Sequence, residues 1–240
     1  MNAPRIQSLV EPRAEQIQGR RPLALLLHAL NQPLTGLQCS MELALGSPRR
    51  PDQYVQTLRE GLELAARMRI LVEALRELAD LQQEKRSQPE LIALDSLLAE
   101  IVGDLRPVGE AKCVRLELQI ERPQKGPVNP DDSAVRGFYA ISGDRHQMVL
   151  LAFRLVESGL SLAATGSTLQ ISLSKQGRKG HIVVSWIQGA QPKNSPFSPP
   201  ELGLIIAQAG WEQAGAEWAE ADSGPQRSCS LWLPLAEVAS

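Results

Sequence analysis

Of the three histidines in the chain, His28 has the surroundings that could put an imidazole to work. It lies in Leu25-Leu26-Leu27-His28-Ala29-Leu30-Asn31-Gln32-Pro33-Leu34, a run that is apolar apart from the imidazole and two carboxamides. An imidazole changes charge near neutral pH, so one that reaches water can act chemically. Pro33 lacks an N–H and frees a backbone carbonyl about one turn upstream, at the level of His28 to Leu30. A helix does not carry that defect without compensation. The other reactive side chains form no such group. His146 and His181 lack partners at ligand spacing, and Cys39, Cys113 and Cys229 are too far apart for a zinc site and read as reduced thiols. Asp131, Asp132, Glu212, Glu217, Glu220 and Asp222 read as solvated acids, and the tryptophans as packing residues. No metal is expected.

Helices must position His28. Leu23, Leu27, Leu30, Leu34, Leu37 and Met41 recur at alternating spacings of four and three, a coiled-coil-like seam that needs a partner. His28 follows a seam residue directly and should sit on the flank of the stripe, partly in water. After a break at Gly46 to Pro51, Leu58, Leu62, Ala65, Met68, Val72, Leu75 and Leu78 draw a second stripe. The short connection predicts an antiparallel hairpin. Its apolar surface exceeds what one hairpin can hide, which predicts a homodimer built as a four-helix bundle. On that placement His28→Gln should leave fold and dimer intact, and Leu30→Asp should break the dimer.

Beyond a polar stretch from Gln82 to Gln88, read as a hinge, the pattern becomes mixed. Asp95 can cap a helix that Pro107 ends, and Val114, Leu116, Leu118 and Ile120 alternate as a strand. A loop over 121–133 leads to a strand near Val135 to Ile141, a helix from about His146 to Leu162, and strands at 168–173 and 181–187. A helix from Pro200 to Gln213 and strands at 216–220 and 228–233 complete the order. This is an α/β sandwich, so the chain reads as α+β. Its division is an N-terminal extension over 1–19, a helical hairpin over 20–86 and the sandwich over 89–240.

Composition agrees. Of 240 residues, 43% are hydrophobic, 22% charged and 4% aromatic, which fits helical, globular packing. A net charge of -2 gives no field to attract nucleic acid or acidic lipid. The start of the chain lacks the apolar run of a secretory signal, and no stretch approaches the ~20 apolar residues of a membrane span. A cytoplasmic protein with no membrane insertion is expected.

His28-Ala29-Leu30-Asn31-Gln32-Pro33-Leu34 resembles the phosphoacceptor box of sensor histidine kinases in its H-E-L-N-Q-P-L form, matching at every position but one. The order of elements after it resembles the ATPase domain of the same family. The resemblance makes His28 the acceptor of a phosphoryl group exchanged with an aspartate of a response-regulator receiver domain. Asn31 and Pro33 support the box, and Gln32 is the polar residue that aids dephosphorylation. Ala29 stands where the family has an acid that serves the imidazole as base.

The nucleotide motifs are altered as well. Arg154 and Ser158 stand where the family has two asparagines, one of them holding magnesium. Ile187-Gln188-Gly189-Ala190-Gln191 stands for the adenine-reading D-x-G-x-G, with Gly189 retained. Gln191 to Pro200 is short and proline-rich where a glycine-rich lid is usual, and Glu201-Leu202-Gly203-Leu204 keeps one of two glycines. No cofactor is expected, neither ATP nor magnesium. The resemblance thus implies a phosphotransfer protein working without ATP. The alternatives are an ATP-dependent kinase of unusual sequence, and a non-catalytic pseudokinase that binds a response regulator or modulates a partner histidine kinase.

Overall fold

Residues 22–83, 89–121, 138–189 and 198–236 are described in the computed structural model. The expected N-terminal extension, most of the hinge, the loop over 122–133, the start of the strand expected from Val135 and most of the lid region lie outside them.

Helix α1 (Pro22–Gly46) runs through Pro33 and is joined by a short connection to helix α2 (Pro51–Gln83), giving the antiparallel hairpin. Two glycines let the helices approach closely. A Cβ on Gly61 would stand 3.2 Å from Leu37 Cδ1, and one on Gly36 would stand 3.6 Å from Leu64 Cδ1. The residues α1 buries are Leu26, Ala29, Pro33 and Ala44, with Leu37 half-buried between them. On α2 the buried line is Gly61, Leu71, Ala74 and Leu78, with Leu64 and Met68 half-buried.

The hairpin therefore closes only part of the expected seam, at Leu30 and Leu37. Leu23, Leu27, Leu34 and Met41 of α1 stand exposed, and so do Leu58, Leu62 and Val72 of α2. Both helices are apolar on two faces. Periodicity marks the stripes without saying which one the mate within the chain takes.

The remainder is a sandwich. Strand β1 (Glu90–Ala93) pairs antiparallel with β3 (Ala140–Gly143) as a small ribbon. The main sheet has the order β2 (Arg115–Ile120), β4 (Thr168–Gln176), β5 (Lys179–Ile187), β7 (Gln226–Pro234) and β6 (Glu217–Ser223). Only the β2–β4 pairing is parallel. Alternation along the strands buries Leu169, Ile171 and Leu173, then Ile182, Val184 and Trp186, then Cys229, Leu231 and Leu233. Helices α3 (Leu94–Ala111), α4 (Arg145–Leu162) and α5 (Pro199–Gln213) cover that face.

Two local readings are corrected. Ala93, not Asp95, is the N-cap of α3, and Asp95 makes no capping bond. Pro107 does not end α3, which continues to Ala111 and closes with Val114 N–H donating to Gly109 O at 2.8 Å. The left-handed residue that closure requires is Cys113, at φ 55°. Asp144 caps α4 by accepting from Gln147 N–H at 3.2 Å.

Hairpin and sandwich share one core. Leu26 and Ala29 of α1 and Leu71, Ala74 and Leu78 of α2 belong to the same apolar cluster as Leu202 and Ile206 of α5. Beside it, Arg154 Nη2 of α4 donates to both carboxylate oxygens of Glu77 on α2, each at 3.1 Å.

Candidate functional site

His28, Asn31 and Gln32 stand exposed on α1, together with Thr35 and Cys39. With Gly36 they line one shallow surface depression. Their spacings of three, four, seven and eleven residues from His28 place them along one side of the helix. Pro33 faces the opposite way and is buried. The missing N–H of Pro33 leaves the Ala29 carbonyl without its helical donor, next to His28. One turn on, Thr35 Oγ1 donates to the Asn31 carbonyl at 2.9 Å, a bond within the helix that fits the disturbed ladder.

Glu42 is the one charged residue in α1, and the residues that line the depression with His28 are uncharged. Cys39 was not legible as part of this face from chemistry. Its spacing from His28 was the available signal.

Ala29 differs from its neighbours. It is 2% exposed and sits on the buried line with Leu26 and Pro33. An acid at that position would point into apolar packing, where an unpaired carboxylate is costly.

Among solved structures, the chain is similar to the histidine kinase AdeS of Acinetobacter baumannii. The TM-score is 0.52 and the identity 16%, covering 87% of this chain and 98% of that one. It is also similar to full-length ShkA in complex with AMPPNP, at TM-score 0.54 and 13% identity, covering 91% of this chain and 46% of that one. The fold is that of a sensor histidine kinase core. At these identities the likeness is one of architecture. No protein-family model matches the chain, and no curated protein matches it.

Within this histidine kinase-like core, the positions that the resemblance matches to nucleotide ligands are engaged in protein contacts, with the exception of Ile187. Ser158 is 3% exposed, and a Cβ built on Gly203 would lie 2.2 Å from its Oγ, so the first turn of α5 rests directly on it. Arg154 is held by Glu77 and also lies 3.6 Å from Glu157. Ile187 is exposed, while Gln188 accepts from Trp186 Nε1 at 3.1 Å. The retained Gly189 donates its N–H to the Leu162 carbonyl at 2.8 Å, and a Cβ built on it would stand 3.3 Å from the backbone of residues 162–164.

At the start of α5, Glu201 accepts from Arg227 Nη1 at 2.6 Å, and Arg227 also donates to Glu220 at 3.2 Å. Burial works against the charged guanidinium, but the hydrogen bonds and charges of the two acids outweigh it and raise the pKa of Arg227 above its ordinary value. Burial pushes the Cys229 thiol up, with Glu220 adding to the effect, so this sulfur stays protonated and unreactive. Among the described residues no group of three or more His, Cys, Asp and Glu could hold a metal ion, and no helix is long and apolar enough to cross a membrane.

Proposed function

We propose that the chain is a cytoplasmic two-component signalling protein that exchanges a phosphoryl group between His28 and the aspartate of response-regulator receiver domains, without ATP. The observation that carries this reading is the exposed imidazole above a buried Pro33, in the HALNQPL run, on the hairpin of a histidine kinase-like core. In the step, the unprotonated ring nitrogen of His28 attacks the aspartyl phosphate. The N–P bond forms, the acyl-phosphate O–P bond breaks, and the aspartate leaves as a carboxylate. The receiver supplies magnesium and its acidic cluster, so this chain need only present the ring with the exposed amides of Asn31 and Gln32 near it.

A homodimer belongs to the same reading. Leu34 is 51% exposed and Leu62 72% exposed, in a line with Leu23, Leu27, Met41 and Leu58 that a second hairpin would cover. Ser158 under Gly203, and Arg154 paired with Glu77, speak against a magnesium nucleotide at those side chains. One observation favours a second reading, a non-catalytic module that binds a response regulator or a partner kinase. Ala29 lies where the family has its acid, and its packing leaves no place for one.

Incubation with a phosphorylated receiver separates the readings. Acid-labile label that appears on the chain without nucleotide, and is lost in His28→Gln, is the expected result. Receiver binding without transfer would leave the non-catalytic module.

A further inference from the structure

We propose that the sandwich is locked on the hairpin as one rigid body, with the apolar contact supplying the hold and the Arg154–Glu77 pair setting the orientation. This is independent of whether His28 carries phosphate. The contact reaches across two layers: Leu71, Ala74 and Leu78 of α2 and Leu26 of α1 are buried in continuity with Leu202 and Ile206 of α5. Such an interface closes by burying apolar area and is non-directional. Direction comes from Arg154, whose Nη2 bridges both Glu77 oxygens at 3.1 Å. Arg154 also lies 3.6 Å from Glu157, so its guanidinium is steered from its own helix as well.

The pair is one-third or more exposed, so its attraction alone would not hold two layers together. A like charge placed in it would still tilt them apart. Behind α4 two contacts with α5 are close. Gly210 lets α5 lie against Leu151, where a Cβ would come within 2.2 Å of Cδ2, and Gly203 rests on Ser158. A shift of α2 is thereby passed to α4 and α5 together. With the sandwich docked, His28 still faces solvent. The lock therefore leaves the imidazole open to a separate protein and gives the sandwich no swing of its own.

The native cysteines supply the test. Cys39 on the hairpin and Cys113 on the sandwich are exposed, and Cys229 is buried, so the full chain takes spin labels at one site on each body. Diluted with unlabelled protein to isolate distances within one chain, the wild type should give a single narrow distance distribution by pulsed electron resonance. Glu77→Arg should broaden it, and adding Arg154→Glu should narrow it again. Circular dichroism would confirm that each variant keeps its helices, and Arg154→Glu alone should repeat the broadening if Glu77→Arg folds poorly. A broad distribution in the wild type would overturn the rigid body. A distribution that ignores both single reversals would overturn the role of the pair.

Discussion

A methyl group at position 29 and an imidazole at position 28 are neighbours in sequence with opposite surroundings. Ala29 is packed at 2% exposure and His28 is in solvent. Replacing Ala29 with Glu restores the residue of the family box yet introduces four more heavy atoms and a charge into the apolar core. Overpacking costs about 1–3 kcal/mol, and a buried polar group without a partner about 1–3 kcal/mol more. For a chain of this length that lowers Tm by roughly 5 °C or more. Burial raises the folded-state pKa of such a carboxyl, so the penalty grows as pH climbs past the unfolded value of about 4.3. Thermal melts of Ala29→Glu at pH 4 and pH 8 check both the size and the sign. His28→Gln, by contrast, removes an exposed ring and should move the melt by no more than about 0.5 kcal/mol. Sequence placed His28 on the flank of its stripe correctly, because that needed only helical phase. It could not show that position 29 is sealed, since the apolar cluster it belongs to is assembled from residues distant in the chain.

Helix α1 shows how far periodicity carries. The elements, their order and the antiparallel hairpin were legible, since apolar spacing and a Gly/Pro break encode them locally. Which stripe goes where was not, because the seam of Leu23, Leu27, Leu30, Leu34, Leu37 and Met41 is buried in part at Leu30 and Leu37, while the line that α1 buries fully is Leu26, Ala29, Pro33 and Ala44. The shift matters for testing the dimer. Leu30 is half-buried and packs on the common core, so Leu30→Asp would damage the hairpin as well as any dimer. Leu34 is exposed at 51% and offers the cleaner probe. Leu34→Asp should convert a dimer to a monomer by light scattering with helical content retained. A wild type already monomeric at high concentration would place the exposed seam against some other partner. On α5, Gly210→Val should cost about 1–3 kcal/mol in chemical denaturation, because a side chain there meets Leu151 and the helix cannot retreat from α4.

The whole molecule decides whether nucleotide has a place in it. α5 covers Ser158, α4 gives Arg154 to α2, and Arg227 ties Glu201 of α5 to Glu220 of β6. Together these contacts span three helices and the sheet, and they occupy Ser158 and Arg154, two of the positions that the resemblance matches to nucleotide ligands. Ligand binding to the native state alone stabilises by RT ln(1 + [L]/Kd), about 2.7 kcal/mol at one hundred times Kd. For a protein of this size that raises Tm by roughly 5 °C or more, well within the reach of a melt. Millimolar ATP with magnesium should leave the melting curve of the full chain unmoved, and on the proposed function should equally leave unchanged the labelling of His28 by a phosphorylated receiver. A clear upward shift would mean that α5 lifts from Ser158 at little cost, and would return the chain to the ATP-using kinases. No shift, with label still reaching His28, is the outcome expected of the proposed transfer without ATP, with Arg154 held by Glu77 across the two layers and Ser158 covered by α5.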